Sequence, residues 1–323
     1  MVLAYASRHV EQVRVATEIE PERTRQRIRE LLAAYSIEVT PATAAKHASL
    51  ADLLPADTRI YVAYVPGEDH REVARTAVRI RAEGLEPVPH FPARSMRDLA
   101  ELERYLQRVT GDAGVDEVLV IGGGIDVPRG AFSGTKALLD TGLLERYGIR
   151  TIGLAGHPEG QRELGAPGAA TTLEQKLAYA SQTTAEVRLV TQFLFEAAPL
   201  VAWEHAARAQ GSMLPIHVGV PGPATVKSLL SYARLCGVGN SMRLLTRQAG
   251  NLLKLASLSY PDALITALAR HRASDPGCRI ERLHIYPFGG LARTARWIEA
   301  IRAGAFTLHE DGMGFTVDAP EAA

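Results

Sequence analysis

Cysteine is almost missing from this chain of 323 residues: only Cys236 and Cys278 occur, and not in a CxxC spacing. That argues against a disulfide framework or a thiolate metal site, and suits a reducing compartment. An excess of charge of either sign is missing too, because 36 Lys and Arg balance 36 Asp and Glu. No global field would hold a nucleic-acid backbone or an anionic membrane, so neither is expected as a partner. No stretch approaches the ~20 apolar residues of a membrane span. The N-terminal MVLAYASRHVEQVRVATEIE carries charges throughout, unlike a secretory signal, and a cytoplasmic location is expected. Internal repeats, low-complexity tracts and linkers are also lacking. The expectation is a single domain over 1–323, with an N-terminal helical extension over about 1–35 and a core over about 36–303.

What is present is a core-forming composition, 46% hydrophobic and 22% charged. Short β-like runs alternate with amphipathic helical windows. The strand candidates are Ser36–Thr40, Arg59–Tyr64, Glu86–His90, Glu117–Ile121, Thr151–Ala155, Val187–Phe193, Leu214–Val218 and Arg282–Tyr286. Helical windows over 69–84, 95–111, 173–182, 198–211, 225–237 and 290–304 lie between or after them, the second capped by Ser95 and stopped by Gly111. Eight strands, each followed by a helix, predict a (βα)8 TIM barrel; an open doubly wound sheet is the runner-up. The long interval 219–281 predicts extra helices before strand eight. Residues 1–18 and 312–323 read as loosely tied ends.

In such a barrel the chemistry sits where strands end. Strand one carries Glu38 inside a β run, where a carboxylate is either paired, as with an arginine, or raised in pKa as a general acid. Strand three ends VPHFPAR and presents His90. Strand four ends IGGGID, where Gly122, Gly123 and Gly124 let backbone approach a ligand closely. This is not a GxGxxG fingerprint, because Val127 stands where glycine is needed. Strand five ends GLAGHPEGQ with His157, Glu159 and Gln161. Strand six reads VRLVTQFLFE, which sets Gln192 against Phe193 and Phe195. Its amide is either satisfied by backbone or aimed into a cavity. Strand seven leads into a helix near Thr225, a helix N-terminus suited to an anion. Strand eight ends LHIYPFGG with Tyr286. A catalytic metal is not expected despite His90, His157, His217 and His284, because strand one lacks an HxH pair. There is no GxSxG elbow for a nucleophilic serine.

In their order, SIEVTP, VPHFPAR, AGHPEG, TQFLFE, VPGPAT and HIYPF resemble the methylenetetrahydrofolate reductase family across about residues 36–295. The resemblance implies a (βα)8 barrel acting in folate one-carbon metabolism. Its reaction would interconvert 5,10-methylenetetrahydrofolate and 5-methyltetrahydrofolate, with NAD(P)H as hydride source and FAD as the family cofactor. By position, Glu38 is implied as the catalytic acid, with Gln192, Tyr286 and Gly124 at the folate. His90, Gly122, Gly123, His157, Glu159 and Lys176 are implied at the cofactor. Several positions depart from the family pattern. Gly122 and Gly124 replace an arginine and an aspartate, His157 replaces a tyrosine, Gln161 a histidine, Gln175 an arginine and Gly289 an asparagine. Two consequences stay open: FAD is held by other contacts, such as backbone at 122–124, His157 and Arg129, or hydride passes from NAD(P)H directly. A folate-dependent methyl-transfer enzyme and a non-catalytic folate- or flavin-binding relative are the alternatives.

Overall fold

The structure, a computed structural model, describes residues 21–160, 165–235 and 256–318. Gln161, Cys236, the first part of the expected N-terminal extension and part of the expected extra helices after strand seven lie outside the described residues. Eight parallel strands close into a barrel: β1 (Ser36–Val39), β2 (Arg59–Val62), β3 (Glu86–Pro92), β4 (Glu117–Ile121), β5 (Thr151–Gly156), β6 (Glu186–Phe193), β7 (Ile216–Pro221) and β8 (Ile280–Tyr286). Each pairs with its neighbours in sequence, and β8 closes on β1 with Ser36 opposite His284. The TIM-barrel expectation holds, and closure excludes the open doubly wound sheet.

Alternate residues of each strand face inward. The outward set, including Ile37, Ile60, Val118, Ile152, Leu189, Val218 and Ile285, is fully buried under the helices and forms the main core. Helices follow most strands, although β1 leads only into the single turn Pro41–Ala44, capped by Thr40. The helix over 21–32 packs on the last helix, Leu291–Ala303. Its Arg25 and Arg29 donate to carbonyls of Gly304 (2.7 Å) and Arg302 (3.0 Å), covering the end where helix carbonyls are left over.

Two local expectations are corrected. The helix read as starting on Ser95 starts at Leu99, with Asp98 as its cap accepting from Glu101 N at 2.7 Å. Ser95 instead sits buried in a 3-10 turn beside Met96, which is also buried. Residues 312–318 are not loose. Phe306–Leu308 and Phe315–Val317 pair as an antiparallel hairpin, because Phe315 buries its ring against Phe306 (5.0 Å) and Trp297 (6.2 Å).

One irregularity shapes the C-terminal mouth. Between β6 and β7 the register slips, so that Val190 is opposite His217 but Phe193 is opposite Gly219. The extra residue returns Phe193 to the inward face, as a β-bulge does. Gly219 permits it: a Cβ there would lie 2.5 Å from the carbonyl oxygens of both Thr191 and Gln192. Gly219→Ala should therefore destabilise the protein by about 1–3 kcal/mol or more, seen as a lower midpoint in denaturant unfolding with an unchanged slope.

Candidate functional site

Two polar layers occupy the barrel interior. At the N-terminal end, Glu117 on β4 is paired with Arg59 Nε (3.0 Å) and Arg188 Nη1 (3.3 Å), and Tyr61 donates to it at 3.3 Å. A layer of Tyr61, Val88, Leu119 and Val190 lies above.

Beyond that layer, toward the mouth, Glu38 on β1 meets two imidazoles. His90 Nε2 on β3 stands 3.4 Å from its Oε2, and His284 Nε2 on β8 stands 3.6 Å from the same oxygen. Ser36 Oγ fixes the other side of the second ring by a hydrogen bond to His284 Nδ1 at 2.9 Å. Burial drives the Glu38 carboxyl upward, but the adjoining imidazoles of His284 and His90 outweigh it and hold the group down at about 2. Of the two states open to a buried carboxylate, Glu38 is in the paired one, with histidines rather than an arginine as partners. Burial lowers the pKa of His284, against a smaller opposing pull from Glu38, so that ring is neutral near pH 7.

Tyr286 lies two residues after His284 on the same face of β8, the rings edge-on at 4.8 Å. Its hydroxyl donates to the carbonyl of Thr191 at 3.2 Å, which ties the strand-eight tyrosine to the bulge bearing Gln192. Phe193, brought inward by the bulge, packs against Tyr286 (5.5 Å) and Phe288 (4.8 Å), and Phe288 stacks on Tyr232 at 4.1 Å. A carboxylate with two imidazoles thus shares the mouth with an aromatic wall and a half-buried Gln192. This arrangement can bind a flat heteroaromatic ring and move a proton beside it.

The remaining expected residues do not join this group. Gly122, Gly123 and Gly124 follow β4 against the β3 loop. Arg94 donates to the carbonyls of Gly122 (3.3 Å) and Gly123 (2.7 Å), and Gly123 has φ +96, a conformation glycine tolerates. Lys176 and His157 line a separate cavity of about 250 Å³ outside the barrel wall, with Leu189, Trp203 and Gln210. Lys176 Nζ is buried there and donates to Ala155 O at 2.5 Å; burial lowers its pKa to about 8. Burial, then the nearby Lys176, lowers His157 to about 3. Glu159 sits half-buried on the same loop as His157.

Sequence reasoning left out His284, Phe288 and Arg94 as site residues. The period of two in HIY was the available signal for His284, since Tyr286 and His284 must share a face. No family model matches the chain. Among solved structures, the chain is similar in fold to an uncharacterised protein from Clostridium thermocellum that binds two copies of 5-methyl-5,6,7,8-tetrahydrofolic acid. That likeness has TM-score 0.50 and 13% identity, over 85% of this chain and 96% of that one. The carboxyl transferase domain of Rhizobium etli pyruvate carboxylase with 3-bromopyruvate aligns at TM-score 0.40 and 11% identity, over 87% of this chain and 48% of that one.

The shifted histidines make stability depend on pH. His217, fully buried on β7, is lowered to about 4 by burial, against a smaller raising effect of Glu281. The unfolded chain takes up a proton near pH 6.5 while the folded ring does not, so stability is lost as pH falls. From pH 7 to pH 5 the loss from His217 alone should be about 2 kcal/mol. Denaturant unfolding at the two pH values should show it, with a smaller loss in His217→Gln; equal losses in the two proteins would contradict the assignment.

Proposed function

We propose that this protein is an oxidoreductase interconverting 5,10-methylenetetrahydrofolate and 5-methyltetrahydrofolate, with a reduced nicotinamide dinucleotide as direct hydride source. The observation that carries the reading is the Glu38–His90–His284 group beside the wall of Phe193, Tyr286 and Phe288 at the barrel mouth. The ligand of the Clostridium thermocellum neighbour supports the folate class.

In the reductive direction, a proton goes to the bridging nitrogen of the folate's five-membered ring. The bond from that nitrogen to the methylene carbon breaks, its electron pair stays on the nitrogen, and an iminium carbon results. A reduced nicotinamide held against that carbon would supply the hydride for the new C–H bond and would itself be oxidised. Glu38 is ionised at neutral pH. Its part is therefore to stabilise the cationic iminium, with the His90 imidazole 3.4 Å away as the group through which the proton is delivered. His284, kept neutral and bonded by Ser36, positions the carboxylate. Gln192 and Tyr286 orient the pterin against the aromatic wall.

The groups that the resemblance assigns to FAD do not converge on one cavity. Lys176 and His157 line a cavity of about 250 Å³ behind the barrel wall. The carbonyls of Gly122 and Gly123 are covered by Arg94, and His90 is engaged with Glu38 inside the mouth. This supports the route without flavin.

Three outcomes follow. Freshly purified protein should show no flavin absorption and should oxidise NADH or NADPH on addition of methylenetetrahydrofolate. Bound flavin required for turnover would overturn the direct route, and absence of turnover in either direction with folate still bound would favour methyl transfer or plain folate binding. Glu38→Gln should lower kcat by about 100-fold or more, the usual worth of a positioned acid–base group; unchanged turnover would remove Glu38 from the chemistry. Gln192→Leu should raise KM or Kd for folate about tenfold with little change in unfolding midpoint, matching about 1.4 kcal/mol of lost contact.

A further inference from the structure

Four side chains unused by the site converge at the opposite end of the barrel, from two helices of the outer layer. Glu204 and His205 lie near the end of the helix Ala197–Ala209, and His271 and Asp275 at the end of the helix Asp262–Ser274. His205 Nε2 is 3.4 Å from Asp275 Oδ2 and 3.7 Å from Glu204 Oε2, which is itself 3.8 Å from His271 Nε2. One donor atom from each residue lies within 4.8 Å of all the others, and no other His, Cys, Asp or Glu group among the described residues is as compact.

Two donor atoms of this group are left without a partner. Glu204 is fully buried, yet its Oε2 has no hydrogen-bond donor, and His271 Nε2 is likewise without a partner. A buried carboxylate oxygen left so is costly. The separations exceed good hydrogen-bond lengths but approach the edge of a ligand tetrahedron. Donors 2.0–2.1 Å from a Zn2+ ion lie about 3.3–3.4 Å apart.

Both carboxylates are braced by Arg208 and by backbone amides. Arg208 Nε stands 2.8 Å from Glu204 Oε1, and Arg279 N donates to the same atom at 3.0 Å. Arg208 Nη2 also donates to Asp275 Oδ2, the oxygen that faces His205, and Asp275 Oδ1 accepts from Gly277 N at 2.8 Å. Hydrogen-bonded carboxylates of this kind are the usual outer support of metal ligands. Two carboxylates against one guanidinium leave a net negative charge.

We propose that Glu204, His205, His271 and Asp275 bind one divalent transition-metal ion of the zinc type. Two imidazoles suit zinc rather than the hard cations magnesium and calcium, which prefer oxygen. Four protein ligands complete a tetrahedron and leave no open position, so the site is structural. The half-exposed His205 gives an entry path from solvent. The ion would staple the helix that follows β6 to the helix that precedes β8. Those two strands carry Gln192 and Phe193, and His284 and Tyr286, respectively.

The test uses the full-length protein stripped with a chelator and titrated with Zn2+ by calorimetry at neutral pH. One ion per chain should bind and raise the thermal midpoint, with no rise for Mg2+. Co2+ should give the intense visible absorption of tetrahedral coordination. In the double variant His205→Gln/His271→Gln, affinity should fall beyond the about 10–100-fold that follows loss of an outer partner. The cobalt band and the zinc-dependent rise should vanish with it. Should the double variant fail to fold, the single His205→Gln, at a half-exposed position, gives the same readout. Equal zinc binding by parent and variant, or no zinc-dependent rise in the parent, would overturn the site and leave the four groups as a proton-filled ion network.

Discussion

A carboxylate buried inside a closed barrel must find a partner, and this interior holds two of them with opposite solutions. Glu117 lies between Arg59 and Arg188, whose guanidinium groups are always charged, so the lower layer is an ion network. Glu38 lies between two imidazoles, His90 and His284, of which burial keeps the second neutral. The same residue type is thereby structural at one end of the barrel and suited to proton movement at the other. The apolar layer of Tyr61, Val88, Leu119 and Val190 separates the two. Without it the arginines would face the histidines across a low-dielectric space and oppose any imidazolium.

The aromatic wall depends on a second constraint, the approach of two backbones at the β6–β7 bulge. A regular ladder would turn Phe193 outward, into the helix layer. The slip that brings it inward leaves the carbonyls of Thr191 and Gln192 pressed on Gly219. Tyr286 takes up the Thr191 carbonyl through its hydroxyl, so the strand-eight tyrosine is at once a wall residue and a brace for the bulge. Thr191 adds a further brace by accepting from Gly219 N at 2.8 Å. Packing and site geometry here are one feature.

Much of the architecture was legible along the chain. Strand β4 coincides with the run Glu117–Ile121, and the other strands differ from their sequence ranges by a few residues at their ends. Period-two burial and short apolar runs report on backbone form directly, so this agreement follows from local physics. The start of the helix at Leu99 was missed because Ser95 and Asp98 are both good caps, and only the burial of Met96 in the core decides between them. The tail around Phe315 was missed because its polar neighbours mask one ring whose partners, Phe306 and Trp297, come from elsewhere.

The sequence by itself determined the barrel, the strand ends that carry Glu38, His90, Gln192 and Tyr286, and the balance of charge. These depend on periodicity, residue type and net charge, which are local or additive properties. Only the tertiary structure decided who pairs with whom. It gave Glu38 two histidines instead of an arginine, and it moved Lys176 and His157 behind the wall. It brought Phe193 back to the mouth, and gathered Glu204, His205, His271 and Asp275 at the far end. Ionisation, close approach and cation binding depend on distances of a few ångströms between residues far apart in the chain, and barrel closure sets those distances.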